Sequence, residues 1–297
     1  MTSRSFDKAP AVLPMYLKAA LPALPVVGAL PGIKHATGEI PDLTVTRDGV
    51  STDPEHLEAF NEVCGFGLSD TLPATYPHLA AFGLHMTLMT DTSFPFAPMG
   101  LVHLRNSITQ HRPIGISETL DVRVHADNLR PHPKGRLADL VTAVTSEGEL
   151  VWEEVTTLFA RGEGRGDETV PPPLEGVDAP VGPTRWRLKD DLGRRYAAVS
   201  GDRNPIHLYA LTAKAFGFSR QIAHGMWTEA RCLAALAGRL PEAYRVDVEF
   251  RKPILLPASV NFGAVQETGT TTFGVTSPPR SEDAGPTAHL VGRVVPL

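Results

Sequence analysis

The chain has 297 residues, of which 42% are hydrophobic and 21% charged, a balance typical of a soluble globular protein with one large or two small domains. A net charge of −5 argues against nucleic acid as a partner. The 11 histidines and two cysteines contain neither an HExxH motif nor a cysteine cluster, so no metal site is predicted.

The N-terminal segment 9–33 is apolar enough to be taken for a signal peptide or a membrane span. It contains five prolines and Lys18, and prolines at that density break a helix, whereas a span needs about 20 uncharged apolar residues. We therefore predict no membrane span and an extended arm over the domain surface, with a secretory signal as the alternative. Cys64 and Cys232 are predicted to be buried thiols in a reducing cytoplasm.

The remainder of the first half is predicted to contain one strand, two helices and then four strands. Asp53 before Pro54 marks the start of the first helix, and Gly65 marks its end. Segment 76–90 has few charges and predicts a longer helix buried on most sides. Strands are predicted at 44–46, 101–109, 119–126, 137–145 and 151–160.

The second half repeats this order. Helices are predicted at 190–199 and 225–240, and strands at 186–188, 245–251, 259–266, 270–277 and 287–295. The helix that ends at Gly65 aligns with the one that ends at Gly201, and segment 111–114 resembles 251–254, each a basic pair followed by Pro and Ile. These matches indicate an internal duplication.

Each unit is predicted to be a helix wrapped by an antiparallel sheet, which is the hotdog arrangement. The predicted fold is α+β, a double hotdog with two antiparallel sheets, each around a long central helix, that pair side by side into one continuous structure. We assign 1–161 to an N-terminal hotdog with the extended arm, 162–184 to a Gly- and Pro-rich linker, and 185–297 to the C-terminal hotdog that carries the active site.

The chemistry is predicted to lie in residues 200–207, which have the sequence SGDRNPIH. Asp202 and His207 are five positions apart across Asn204 and Pro205, and the proline excludes Asn204 from helical conformations, so the chain turns there. A carboxylate and an imidazole that share one water can move a proton in either direction, because free histidine titrates near ~6.5. The alternative is a structural turn with a surface histidine.

Gly225 is the first residue of the apolar helix that follows about twenty residues later. The N–H groups at a helix N-terminus have no helical partner, the dipole there favours negative charge, and glycine lets a ligand approach the backbone. Such a donor suits a thioester oxygen that gains negative charge. With the acid–base pair, it indicates proton transfer next to a carbonyl and gain or loss of water at the β-carbon.

These residues belong to a longer pattern. Segment 196–226 resembles the MaoC-like, (R)-specific enoyl-thioester hydratases (hydratase 2), whose pattern is an aromatic residue, S-G-D-x-N-P-apolar-H, an Ala-rich helix and then apolar-A-H-G-apolar. The matching residues are Tyr196, Ser200, Gly201, Asp202, Asn204, Pro205, Ile206, His207, Ala213, Gly217, Ala223, His224, Gly225 and Met226. Nearly the whole chain is similar to actinobacterial double-hotdog 3-hydroxyacyl-thioester dehydratases, including the YPH, FPFAPMG and ITQHRPI segments of the first half.

The resemblance implies that Asp202 and His207 bind and activate water, and that Gly225 donates its N–H to the thioester oxygen. It also implies that Asn204 holds the loop and, with Gly225, belongs to the substrate-binding residues. The first half has no SGDRNPIH equivalent, which makes it catalytically degenerate. We assign its His78 a structural or surface position.

Ser200 and His224 would support the catalytic loop rather than react. One position departs from the pattern, because many relatives carry an acid two residues after the motif histidine, where this chain has Tyr209. The volume vacated in the first half could form a tunnel for a long acyl chain, lined by side chains of segment 76–89. The alternative is that these side chains are plain core.

The implied enzyme is a hydro-lyase that reversibly dehydrates (R)-3-hydroxyacyl thioesters to trans-2-enoyl thioesters in fatty-acid metabolism, with no metal and no redox cofactor. The alternatives are a hotdog thioesterase, and an inactive acyl-binding or scaffold subunit of a dehydratase complex. Intact Asp202 and His207 argue against both. The sequence leaves open whether the substrate is acyl-CoA or acyl carrier protein (acyl-ACP), its chain length, the direction and pathway, and whether the chain forms a homodimer.

Overall fold

The computed structural model describes residues 2–20, 39–98, 100–162, 164, 166, 172–279 and 285–297. Its strands are β1 (Thr2–Ser5), β2 (Leu43–Val50), β3 (Val102–Gln110), β4 (Leu120–His132), β5 (Gly135–Ser146), β6 (Glu149–Arg161), β7 (Thr184–Leu188), β8 (Tyr244–Phe250), β9 (Ala258–Glu267), β10 (Thr270–Ser277) and β11 (Thr287–Pro296). Its α-helices are α1 (Val12–Ala20), α2 (Pro54–Cys64), α3 (Pro77–Met89), α4 (Leu192–Ser200), α5 (Pro205–Leu208), α6 (Ala210–Ala215) and α7 (Gly225–Leu236), and a 3-10 turn (Ala237–Arg239) follows α7.

The strands form one sheet in the order β1-β2-β4-β5-β6-β3-β8-β11-β10-β9-β7. Strands β3 and β8 join the two halves as an antiparallel pair, in which Ile108 lies opposite Val246. Each half curves around its own long helix, α3 in the first and α7 in the second, which confirms the α+β double hotdog. The sheets of the two halves join into one continuous sheet, as predicted, and its strands pair antiparallel except at one edge, where β1 and β2 are parallel.

The predicted helix signals have the expected geometry. The Asp53 side chain caps α2 by accepting the N–H of Glu55 at 3.0 Å, Pro54 is the first helical residue, and Gly65 ends the helix at φ 83°. In the second half Gly201 ends α4 at φ 74°, so the alignment of these two glycines holds in three dimensions.

The N-terminal prediction is wrong for residues 12–20, which form helix α1 rather than an extended arm. Its Pro14 lies in the first turn, where a backbone N–H has no helical partner to lose, so this proline is compatible with a helix. The rest of the predicted arm, at 21–38, lies outside the described residues. No helix in the described ranges is long and apolar enough to cross a membrane.

The two halves share one core. The Phe60 ring packs 5.3 Å from Tyr76 of its own half and 6.5 Å from Tyr196 of the other. The Trp227 indole donates to the Val63 carbonyl at 3.0 Å. Burying these aromatic rings stabilises the pairing of the halves by about 25 cal/mol per Å² of apolar area removed from water.

The described part of the linker, 172–184, is held against the sheet. Leu174 is fully buried (0% exposed), and Arg251 donates to the Val177 carbonyl at 2.7 Å. Both cysteines are buried free thiols, as the sequence predicts. The domain boundaries themselves stay a prediction.

Candidate active site

The catalytic loop begins where α4 ends. Gly201 adopts the left-handed conformation that turns the chain out of α4, and the Asp202 N–H then donates to Ser200 Oγ at 3.2 Å. Asn204 is extended at ψ 125°, as a residue before proline must be, and its Oδ1 caps α5 by accepting the Ile206 N–H at 3.4 Å. Ser200 and Asn204 therefore shape the loop, as the resemblance implies.

The loop brings three titratable side chains together. One carboxylate oxygen of Asp202 and one ring nitrogen each of His207 and His224 lie within 4.8 Å of one another. The two imidazole rings stack with centroids 3.7 Å apart. Groups this close can share one water, because a water oxygen that makes hydrogen bonds of about 2.8 Å to two partners bridges atoms up to about twice that distance apart.

The hydrogen bonds of His207 decide which of its nitrogens is the base. Nδ1 donates to the Ile222 carbonyl at 2.8 Å, which leaves the lone pair on Nε2. Burial lowers the pKa of His207, while the charge of Asp202 opposes this. His207 is therefore a neutral imidazole near pH 7 and can accept a proton.

Asp202 is ionised in this setting. Burial acts to raise the pKa of Asp202, but the positive charge that His224 and His207 carry when protonated at low pH, with a hydrogen bond from Tyr16, brings that pKa below its ordinary value. About a quarter of its side chain (24%) is exposed, so the carboxylate keeps access to solvent. A carboxylate beside a neutral imidazole is the state that accepts a proton from water.

His224 contacts both the backbone and the side chain of Asp202. Its Nε2 donates to the Asp202 backbone carbonyl at 3.1 Å and lies 3.7 Å from Asp202 Oδ2. Burial lowers the pKa of His224 to about 3, so it is neutral. It therefore fixes the backbone of Asp202 and stacks on the base, which is the supporting role expected of it.

Gly225 directly follows His224 and is the first residue of α7. A Cβ at this position would lie 3.1 Å from two ring atoms of Phe250, so any larger residue would have to displace that ring. The sequence therefore places a helix N-terminus, with its free N–H groups, immediately beside the acid–base cluster.

Tyr16 is the site residue that the sequence did not predict. Its hydroxyl donates to Asp202 Oδ1 at 2.5 Å, although the two residues are 186 positions apart. The departure at Tyr209 has no such role, because that side chain is exposed and its ring lies 5.0 Å from the Arg194 guanidinium.

A second buried polar cluster lies in the first half. His78 Nδ1 is 2.9 Å from both oxygens of Glu154, and Asn106 donates to Glu154 at 2.7 Å. The centroid of the His85 ring lies 5.3 Å from that of His78, and His85 Nε2 is hydrogen-bonded to Thr142 Oγ1 at 2.8 Å. His78 is therefore a buried structural residue, and a surface position is wrong.

Two groups in the described chain are spaced closely enough for a cation: Asp202, His207 and His224, and His78, His85 and Glu154. The side chains of the second group already have hydrogen-bond partners in the protein. The proton transfer described below needs only the donors and acceptors that the first group contains.

The suggested tunnel lining divides into two sets. Leu84, Met86 and Leu88 are buried core residues, which supports the plain-core alternative for them. Leu79 and Phe82 are only partly buried, and the Phe82 ring lies 4.0 Å from the Cβ position of Gly201. Phe82 is therefore the lining candidate nearest to the catalytic loop.

Glu229, one turn into α7, is fully buried (0% exposed), and neither carboxylate oxygen has a hydrogen-bond partner within the described chain. Burial, with Glu154 and Asp247 nearby, raises the pKa of Glu229 well above its ordinary value. The unfolded chain releases this proton above about pH 4.3, whereas the folded protein retains it to higher pH. The folded state then binds more protons, so the free energy of unfolding falls as pH rises.

We therefore expect the Tm of Glu229→Gln to rise relative to that of wild type as the pH is raised from 5 to 8. Glutamine does not titrate, so the variant lacks the loss of stability that Glu229 causes in the wild type. The measurement is Tm against pH for both proteins. The matched control, Glu175→Gln, changes an exposed side chain and should follow wild type throughout. Parallel Tm curves for Glu229→Gln and wild type would contradict the expectation.

Comparison with known proteins agrees with this geometry. Residues 177–276 match the family described as MaoC like domain. The chain is 41% identical over 261 residues to 3-hydroxyacyl-thioester dehydratase X of Mycobacterium tuberculosis, across 88% of this chain and 91% of that protein. A crystal structure of HtdX from the same organism has a TM-score of 0.73 at 37% identity, and the match covers 86% of this chain and 100% of that one. The peroxisomal enoyl-CoA hydratase 2 of Arabidopsis thaliana is 28% identical over 193 residues, 60% of this chain and 62% of that protein.

Proposed function

Because this chain belongs to the MaoC-like 3-hydroxyacyl-thioester dehydratases, we propose that it reversibly converts (R)-3-hydroxyacyl thioesters to trans-2-enoyl thioesters. The main observation behind the proposal is that polar atoms of Asp202 and His207 lie within 4.8 Å of each other, close to the N-terminus of α7. The acyl thioester is the substrate class, and neither a metal nor a redox step is needed.

In the hydration direction, a water lies between Asp202 and Nε2 of His207. The pair takes one proton from this water as its oxygen bonds to the β-carbon, and the electron pair of the double bond moves toward the thioester carbonyl. The conjugate acid of the pair then returns a proton to the α-carbon. Dehydration is the reverse, in which the α-proton leaves first and the β-hydroxyl departs as water.

The thioester oxygen gains negative charge between these two proton transfers. The Gly225 N–H, at the positive end of α7, is the proposed donor to that oxygen. One such donor typically lowers the barrier by ~3 kcal/mol.

The thioesterase alternative requires water to attack the carbonyl carbon rather than the β-carbon. The inactive-subunit alternative requires the cluster to be incomplete. His207 is in the tautomer that a base needs and Asp202 is ionised, so the pair is in a reactive state, which argues against the inactive subunit.

The test is to incubate the purified protein with trans-2-enoyl-CoA substrates of increasing chain length. We expect loss of enoyl absorbance and formation of the (R)-3-hydroxyacyl product, with no free CoA thiol. Release of free thiol would establish a thioesterase instead. If the protein is inert on CoA substrates, the same assay on acyl-ACP substrates follows, and failure on both would favour the inactive subunit.

We also propose a cytoplasmic location, because both cysteines are buried free thiols and such thiols are usual in a reducing compartment. A homodimer of the fused chain stays a prediction. Light scattering or analytical ultracentrifugation would determine that state.

A further inference from the structure

The N-terminal segment reaches the candidate site through a series of contacts. Strand β1 pairs with β2, and the Phe6 N–H extends that pairing to the Thr46 carbonyl at 2.9 Å. Pro10 then packs on α3 at Gly83, where an added Cβ would lie 3.1 Å from the proline ring. Helix α1 follows and brings Tyr16 to the catalytic loop.

The contacts on Asp202 are unevenly divided between its two oxygens. Oδ1 accepts the Tyr16 hydroxyl at 2.5 Å and the Asn204 N–H at 3.0 Å. A carboxylate oxygen has two lone pairs, so these two donors use both, and an O–H···O⁻ bond of that length belongs to the strong, charge-assisted class. Oδ2 faces His224 Nε2 at 3.7 Å and remains to accept from a water.

We propose that Tyr16 is a positioning residue of the reaction: by holding Oδ1 of Asp202, its hydroxyl fixes the rotation of the carboxylate so that Oδ2 faces the water shared with His207. This inference rests on the proposed function of the site. It makes the N-terminal segment part of the active site, although the motif lies entirely in the second half.

Tyr16 is suited to this role because it keeps its proton. Burial and the neighbouring carboxylate both raise the pKa of Tyr16 above its ordinary value. Asp202 also interacts through charge with His207 of α5, His224 before α7, His78 of α3, His103 of β3 and Tyr196 of α4. Tyr16 differs from these groups because its hydroxyl donates a hydrogen bond to the Asp202 carboxylate.

The test compares Tyr16→Phe with wild type on enoyl-thioester hydration. The change removes one hydroxyl and keeps the ring. We expect kcat to fall by about 10- to 100-fold, the range for losing a hydrogen bond to a charged group, with KM unchanged. We also expect the acid limb of the kcat/KM profile to move to higher pH. The Asp202 carboxylate loses a hydrogen-bond donor in this variant, which raises its pKa. A purely structural role would leave that limb in place.

The matched control is Tyr209→Phe, which removes a hydroxyl from an exposed tyrosine close to the motif and should behave like wild type. Wild-type kcat and pH profile in Tyr16→Phe would overturn the inference. A faster enzyme would overturn it too, since the phenol would then be blocking the place of the water.

The titration of the Asp202 carboxyl carbon, followed by NMR, provides a second measurement that needs no turnover. If the wild type were inert on every thioester, the proposed function would fail, and this titration would still decide the inference. A midpoint that rises in Tyr16→Phe supports it, and identical midpoints in the two proteins contradict it.

Discussion

Asp202→Asn is expected to lose about 100- to 10,000-fold in kcat while its Tm stays close to that of wild type. The amide keeps the shape of the side chain and can still accept the Tyr16 and Asn204 hydrogen bonds through Oδ1. It cannot accept a proton from water. The measurement is kcat for enoyl-thioester hydration, with thermal unfolding as the check on the fold.

His207→Gln should lower kcat by a similar factor, because the glutamine has no basic nitrogen. The double variant should be little worse than either single one, since the two residues act as a unit on one water. Asp190→Asn, which changes an exposed side chain close to the loop in sequence, is the matched control. Retention of most of the wild-type rate by Asp202→Asn would exclude it from proton transfer.

Gly193→Ala is expected to lower both stability and activity. A Cβ at Gly193 would lie 1.9 Å from the carbonyl oxygen of His207 and 2.9 Å from its carbonyl carbon. These are backbone atoms, so α4 or the catalytic loop must shift. Overpacking typically destabilises by roughly 1–3 kcal/mol, and the shift displaces the base from Asp202 as well.

The direction of this effect is informative because helix propensity predicts the opposite one. Gly193 lies within α4, where alanine is normally favoured over glycine by about 1 kcal/mol. The control is Gly238→Ala, since a Cβ at Gly238 has nothing within 4 Å. We expect Gly238→Ala to match or slightly exceed wild type in Tm and to keep its kcat. If Gly193→Ala also keeps the Tm and kcat of wild type, the contact of the added Cβ with the His207 carbonyl has no effect on stability or activity.

The elements that the sequence predicts well are those whose signals are local. The cap at Asp53 and the stop at Gly65 each depend on neighbouring residues. The catalytic turn is also local, because Asp202, Asn204 and His207 lie within six positions. The motif therefore predicts its geometry without knowledge of the remaining chain.

The parts that could not be predicted depend on contacts between distant segments. The Tyr16–Asp202 bond has no sequence pattern, since its partners are 186 positions apart. The density of prolines in 9–33 indicated an arm, but Pro14 lies in the one turn where a helix tolerates it. Similarly, a glycine in α4 gives no sign that it faces the His207 carbonyl.

The pairing of β3 with β8 within one chain has a consequence for how the protein responds to dilution. If the two hotdogs were separate chains, they would have to meet to form this pair, and the fraction paired would depend on protein concentration. A covalent connection holds the second half at an effective concentration of about millimolar. The site assembled at this junction should therefore keep its specific activity down to nanomolar enzyme.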